Sequence, residues 1–401
     1  MTPLFIVQAS STSWSGGSDI SMNEVDGFPA VYWTVRRVLE FVPDGRVVVA
    51  APMFDREGQL GKVFESLGSH RVSIYYGHDA SPLNRFLDAL SDYPDATWLI
   101  RVDGLSCFFD VENAVRMWEQ SRLSGLDCMK FPDNFPPALG ADVYRLGALR
   151  KARDMLKEGV ADAEIFHVHP KFFLFRQVAH FRCCYETRIP AYPHEHLLAC
   201  RAKAKNVWHI GDEVRSERRQ TGGDSLLFRY EFMARHLRAD MRVLDIACGT
   251  GYGTELLAGR VREVHGADRD EVTIGGLQTN SLKPMNAHYQ VEDALCLSYP
   301  DHTFDAAVTI ETIEHVKPQG FLRELHRVLR RGGILALSTP QNCMGAVPMN
   351  NEHLREFSLD EIRQMCSQDF DIVKIVGQKG GRICFEDDPI GATTLLIAKA
   401  R

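Results

Sequence analysis

At 401 residues, the chain is too long for one ordinary hydrophobic core, and two domains are expected. Hydrophobic residues at 45% and charged residues at 25% are globular averages, which excludes a disordered or low-complexity protein. A net charge of −7 leaves no global footprint for nucleic acid, and no apolar run approaches membrane-spanning length. The opening Met1-Thr-Pro-Leu-Phe-Ile-Val-Gln8 lacks the basic and long apolar regions of a leader. Ten cysteines without a CxxC pair suit free thiols in a reducing cytoplasm.

From Pro3 to about Pro190, short apolar runs alternate with helical patterns. Strands are expected at Leu4–Gln8, Arg46–Ala51, Val72–Tyr76, Thr97–Val102 and Asp127–Phe131, with helices at Ala30–Phe41 and Pro82–Leu90. This order predicts an α/β domain over 1–190. A linker with a basic, Ala-rich helix follows over 191–225, and a second α/β domain over 226–401. There the expected strands are Arg242–Ile246, Glu263–Ala267, His288–Val291, Ala306–Ile310 and Ile334–Ser338. The helix Gln319–Leu329 gathers Phe321, Leu322, Leu325, Val328 and Leu329 on one face, and Gly332-Gly333 is read as its stop. Asp371–Val376 and Thr393–Ala398 complete the pattern as an antiparallel hairpin. Five βα units and a terminal hairpin make a doubly wound sheet.

The segment Val243-Leu-Asp-Ile-Ala-Cys-Gly-Thr-Gly-Tyr-Gly253 puts Asp245 at a strand end and Gly249, Gly251 and Gly253 directly after it. Alone, such a loop reads equally well as a tight strand-to-helix turn. The dinucleotide spacing G-x-G-x-x-G fails at Thr254, and an acid at the strand end would repel a pyrophosphate. S-Adenosylmethionine suits the arrangement better, since its methionine ammonium is attracted to a carboxylate. Asp268 ends the second strand, where an acid accepts ribose hydroxyls, and Asp293 ends the third, where it accepts from the adenine amine. Each acid singly fits a helix N-cap; three at successive switches point to the cofactor.

With these residues in place, the segment from Arg229 to Arg401 resembles the class I methyltransferases of glycan and polysaccharide pathways. The matching pieces are Arg229-Tyr-Glu-Phe232 ahead of the first strand, Thr303-Phe-Asp-Ala-Ala-Val-Thr-Ile-Glu-Thr-Ile-Glu-His315 around the fourth, and Ser338-Thr-Pro-Gln-Asn342 after the fifth. Ala247 departs from the usual Gly. The resemblance implies a cofactor site of Arg229, Tyr230, Asp245, Ala247, Gly249, Gly251, Asp268, Asp293, Ala294 and Ile310, with S-adenosyl-L-methionine as cofactor and no metal. A hydroxyl acceptor needs a base, and His315 at the end of strand four has the right chemistry; Glu314-His315 also reads as a helix cap. His353 and Glu356, in Asn351-Glu-His-Leu-Arg-Glu-Phe-Ser358, resemble the family's acceptor lid, though a charged loop is equally a solvated face.

More faintly, the first 175 residues resemble the cytidylyltransferases of spore-coat polysaccharide and 3-deoxy-manno-octulosonate activation. Ile6-Val-Gln-Ala9, Ile100-Arg-Val-Asp-Gly104 and His167-Val-His-Pro170 are among the matching pieces. That implies a Rossmann-like nucleotide-diphospho-sugar-transferase fold. Its chemistry is missing: the opening loop Gln8–Gly16 has no basic residue, Leu105 stands where an Asp would hold Mg²⁺, and Ile165-Phe166 stand where the family has Arg-Glu.

The resulting expectation is a cytoplasmic methyltransferase acting on a sugar, a nucleotide-linked sugar or a glycan precursor. The N-terminal domain would bind the acceptor or a partner enzyme of glycan biosynthesis, and a homodimer is left open. One rival is a bifunctional enzyme that also activates a sugar acid with CTP. Another makes the N-terminal domain a non-enzymatic assembly module.

Overall fold

The computed structural model describes residues 3–12, 18–65, 67–68, 70–156, 160–189, 192–203, 207, 224–345, 347–350, 352–385 and 387–401. The chain divides into two compact units, Met1–His209 and Ile210–Arg401. The basic helix expected between domains, His194–Lys203, clusters with the first unit. The polar stretch that follows it, and residues 13–17 of the opening loop, lie outside the described residues.

In the first unit, seven strands form one sheet: β1 (Leu4–Gln8), β2 (Arg46–Pro52), β3 (Val72–Gly77), β4 (Trp98–Asp103), β5 (Cys128–Lys130), β6 (Asp142–Arg145) and β7 (Cys183–Tyr185). Their order is β3-β2-β1-β4-β6-β5-β7. The first four run parallel, while β6 is antiparallel to both β4 and β5. Phe5, Ile6 and Val7 in β1 and Val47 to Ala51 in β2 are buried without interruption, as strands covered on both faces require. Helices α1 (Ala30–Phe41), α2 (Pro82–Ala89) and α3 (Val111–Ser124) accompany them. The N-cap side chains of Ser81 and Asp110 accept from the Asn84 and Asn113 amides, which fixes where α2 and α3 begin.

The second unit holds an eight-stranded sheet: β8 (Arg242–Ile246), β9 (Glu263–Asp268), β10 (Ala287–Val291), β11 (Phe304–Ile310), β12 (Leu329–Pro340), β13 (Phe370–Lys379), β14 (Ile383–Phe385) and β15 (Thr393–Ala400). Its order is β10-β9-β8-β11-β12-β15-β13-β14. The first five strands are parallel, and β15 and β13 form the expected antiparallel pair, with β14 added at the edge. Side chains alternate across this sheet. Leu244 and Ile246 join Phe321 and Leu325 of α7 (Pro318–Val328) and Ile362 of α8 (Leu359–Cys366) in one apolar cluster. Val243 joins Met233 of α4 (Asp224–Ala234), Leu257 of α5 (Tyr252–Ala258) and Ile274 of α6 (Glu271–Thr279) in the other. The sheet is a doubly wound layer with its reversal between β8 and β11, where ligand crevices form.

Two local expectations are corrected. The third crossover has no helix: residues 292–303, all described, run as turns. Buried Glu292 accepts from the Ser298 amide at 2.8 Å, and Asp293 accepts from the Leu295 amide at 2.9 Å, side-chain bonds that compete with helix formation. Gly332-Gly333 does not stop the preceding helix, which ends at Val328. The pair lies inside β12, where register breaks between Phe304↔Leu329 and Ala306↔Ile334, and Gly332 takes φ +72°. Among the described residues, no helix is long and apolar enough to cross a membrane.

Candidate cofactor and acceptor site

The loop after β8 is built on left-handed backbone, with φ +60° at Ala247, +52° at Gly249 and +83° at Gly251. Ala247 is thus a methyl-bearing residue in a conformation that favours glycine. A Cβ on Gly249 would meet nothing within 4 Å, whereas one on Gly251 would lie 2.8 Å from a Leu277 methyl. The loop therefore leans on α6 with one glycine and presents open space at the other, the form of a cradle for a ligand.

The three strand-end acids have separate fates. Asp245 is wholly buried, with Oδ1 accepting from Tyr230 Oη at 3.1 Å and Oδ2 from Thr254 Oγ1 at 2.6 Å. Burial pushes its pKa up to about 6, against the opposing pull of the Thr254 and Tyr230 hydrogen bonds. The two hydroxyls engage both oxygens of the carboxylate beneath the loop. Asp268, half-buried, accepts from the Gly249 amide at 2.9 Å and from the Asp270 amide at 3.1 Å, so it fixes the open glycine from alongside. Asp293 is exposed next to half-buried Ala294.

Arg229 and Tyr230 both engage protein partners, Tyr230 through Asp245. Arg229 Nε donates to Gln378 Oε1 at 2.7 Å and Nη2 to Thr393 Oγ1 at 3.1 Å, tying α4 to β13 and β15. Its Nη1 stands 2.9 Å from Glu311 Oε1, off a hydrogen-bonding direction. Glu311, directly after buried Ile310, has φ +53°. A non-glycine residue held there at a strand's carboxyl end is strain of the sort that gathers at functional sites. The sequence reading overlooked it, although it is the first acid of Glu311-Thr-Ile-Glu-His315.

Beyond it, Glu314 is fully buried and accepts from Thr339 Oγ1 at 2.9 Å. Burial and the neighbouring Glu311 carboxylate hold its pKa well above the usual carboxylate range. His315 is exposed, with Nδ1 3.2 Å from the Glu352 carbonyl. Its ring meets that of His353 edge-on, with centroids 4.8 Å apart. Desolvation, then the His353 charge, lowers its pKa. The two histidines singled out in the sequence are therefore brought together.

Glu356 is engaged by four protein donors. It is buried, with Oε1 accepting from His353 Nδ1 at 2.8 Å and the Asn350 amide at 3.0 Å. Its Oε2 accepts from Asn342 Nδ2 and the Met349 amide, both at 2.9 Å. Four donors on one carboxylate make it a hub that joins Asn342, Met349, Asn350 and His353. These bonds draw its pKa down against the upward push of burial.

Residues 244–337 match the family model described as a methyltransferase domain. The second unit contains a class I S-adenosylmethionine-dependent methyltransferase domain. A probable S-adenosylmethionine-dependent methyltransferase of Mycolicibacterium smegmatis is 33% identical over 135 residues, covering 32% of this chain and 51% of that protein. Another, of Mycobacterium tuberculosis H37Rv, is 34% identical over 130 residues, 31% of this chain and 46% of that protein. The chain thus spans about half the length of these curated relatives. A solved S-adenosylmethionine-dependent methyltransferase of Methanosarcina mazei is 21% identical, with a TM-score of 0.35 over 42% of this chain and 96% of that one. The methyltransferase domain takes S-adenosylmethionine as its cofactor, and the open face at Gly249 beside Asp268 fits that group.

Proposed function

We propose that the chain transfers the methyl group of S-adenosylmethionine to a hydroxyl of a sugar, a nucleotide-linked sugar or a surface-glycan precursor. The observation carrying this is the open Gly249 cradle after β8, held by Asp268, with exposed His315 in the turn that follows the adjacent strand β11. S-Adenosylmethionine supplies, when bound, a methyl group made electrophilic by its sulfonium. Asp268 would accept from the ribose hydroxyls, with Asp293, Ala294 and Ile310 as the residues that would hold the adenine end. Ala247, Gly249 and Gly251 would admit the methionine end, with Asp245 bonded to Tyr230 and Thr254 beneath the loop. The hydroxyl proton leaves on the side of His315 and His353, with Glu356 as the positioning residue for His353.

For the first unit we infer a nucleotide-diphospho-sugar-transferase-like domain without nucleotidyl transfer, which binds the acceptor or a partner enzyme. Arg101 Nη2 lies 2.9 Å from Asp103 Oδ2, and its Nη1 3.5 Å from Asp142 Oδ2. Lys171 Nζ is 3.2 Å from the same Asp142 oxygen. These cations already neutralise the carboxylates that a hard metal ion would need, and buried Leu105 adds no ligand. Among the described residues all ten cysteines are unbridged, which favours a reducing cytoplasm.

The test is transfer of label from methyl-labelled S-adenosylmethionine into precursor pools from cells lacking the protein. Label is expected in a sugar-containing fraction; label confined to lipid or quinone fractions would overturn the acceptor class. Pyrophosphate release from CTP with sugar acids and Mg²⁺ is expected to be absent, and clear turnover would favour the bifunctional rival.

A further inference from the structure

Glu314, His315 and His353 each offer one ligand atom, and the three atoms lie within 4.8 Å of one another. Their neighbours decide what each has left to give. His353 engages Glu356 through Nδ1, leaving Nε2, which is buried without a hydrogen-bond partner. Glu314 engages Thr339 through Oε2, leaving Oε1, likewise buried and unpartnered. His315 engages the Glu352 carbonyl through Nδ1. Metal-bound imidazoles characteristically fix one ring nitrogen on a carboxylate or carbonyl and present the other. Orphaned buried polar atoms are costly and call for an explanation; here two of them belong to one trio.

We propose that these three residues bind a divalent transition-metal ion. A second trio, Glu263, His265 and His288, also has its ligand atoms within 4.8 Å of one another and serves as a contrast. There His265 Nε2 is 2.7 Å from Glu263 Oε1 and 3.0 Å from Arg242 Nη2, so a guanidinium already stands in the cation's place. At the proposed site two imidazole nitrogens and one carboxylate oxygen suit Zn²⁺, Co²⁺, Mn²⁺ or Fe²⁺ better than Mg²⁺ or Ca²⁺. Atoms sharing an ion at about 2.1 Å stand roughly 3–3.4 Å apart, so the trio contracts on binding, and exposed His315 is the member able to move. Three protein ligands leave coordination positions open, where an acceptor oxygen would be held and its pKa lowered. This last step rests on the methyl-transfer reading and puts the ion, rather than the two imidazoles, in charge of lowering the hydroxyl's pKa; the binding of the ion does not rest on that reading. It lay beyond the sequence because Glu314-His315 and His353 come from the loops after two different strands.

The test is titration of chelator-treated full-length protein with Co²⁺, followed by visible absorption and by competition with Zn²⁺. One equivalent per chain should develop the visible bands of nitrogen-ligated Co²⁺ and yield to Zn²⁺. His315→Ala, an exposed change that leaves the core intact, and His353→Ala should each abolish the signal. Glu356→Gln should weaken binding about 10–100-fold, and His288→Ala should leave it unchanged. Absence of the bands in the wild type, their survival in both His315→Ala and His353→Ala, or an intense thiolate band from a cysteine site would each overturn the proposal. Calorimetric S-adenosylmethionine binding on the same preparations separates the two readings. Cofactor binding without Co²⁺ bands removes the metal site alone, whereas bands without cofactor binding remove the methyl-transfer reading alone.

Discussion

A Cβ built on Gly253 would lie 2.0 Å from Cζ of Tyr230 and under 2.5 Å from both its Cε atoms. Helix α5 and the Tyr230 ring are therefore in contact through bare backbone, and that contact aims the phenol at Asp245. Gly253→Ala must displace either the ring or the helix. Overpacking together with loss of one bond to a buried carboxylate should cost about 2–4 kcal/mol. Urea denaturation measures this, and Tyr230→Leu in the Gly253→Ala background should recover part of the loss. An unchanged midpoint in Gly253→Ala would mean that the ring is free to swing.

Asp245 should give the methyltransferase domain a distinctive pH response. Its folded pKa of about 6 lies above the ordinary value of 3.8, so the folded state holds the proton more tightly than the unfolded chain does. Stability from this group is therefore full below about pH 4, declines as pH rises toward 6, and then levels. At about 1.4 kcal/mol per pH unit, the decline is on the order of 3 kcal/mol. Asp245→Asn removes the titration. The difference in melting temperature between wild type and Asp245→Asn, taken across pH 4–8, should trace that decline, and a flat difference would refute it.

Asp268 is predicted to matter most for cofactor affinity. Asp268→Ala loses charge-assisted bonds to the ribose and frees the Gly249 amide, so affinity should fall by about 10–100-fold, or 1.5–3 kcal/mol. Asp293→Ala, at an exposed position, should cost less. Calorimetric titration with S-adenosylmethionine ranks the two, and equal losses would contradict the geometry.

Much of the fold was legible, because a buried strand announces itself by local apolar runs and a helix by its period. What stayed hidden depended on partners far away in sequence. That Arg229 ties its helix to Gln378 and Thr393 could not be read from the residues around it. Asp245, Asp268 and Asp293 look alike in one dimension, yet one is sealed, one half-buried and one exposed. The missing third crossover helix was a local error: the side-chain turn bonds of Glu292 and Asp293 won over helical propensity.

Glu356→Gln should loosen a loop without harming the cofactor site. The new amide turns donors toward donors, leaving at least one of the bonds to Met349, Asn350 or Asn342 unmade at about 1–3 kcal/mol. Hydrogen exchange at the Met349 and Asn350 amides should quicken, while S-adenosylmethionine affinity stays within a few-fold. Slow exchange in the variant would show that other contacts hold the loop.

The position of β15 sets the order in which this domain can assemble. Thr393–Ala400 is the last strand in the sequence, yet it lies inside the sheet, between β12 and β13. During synthesis, β13 and β12 emerge with nothing to join them and present facing, unpaired edges. Thr393, which receives Arg229 from helix α4, arrives on the same late strand. A nascent chain halted before residue 393 would therefore lack the strand that closes the sheet and would expose two sticky edges, an obvious target for chaperones.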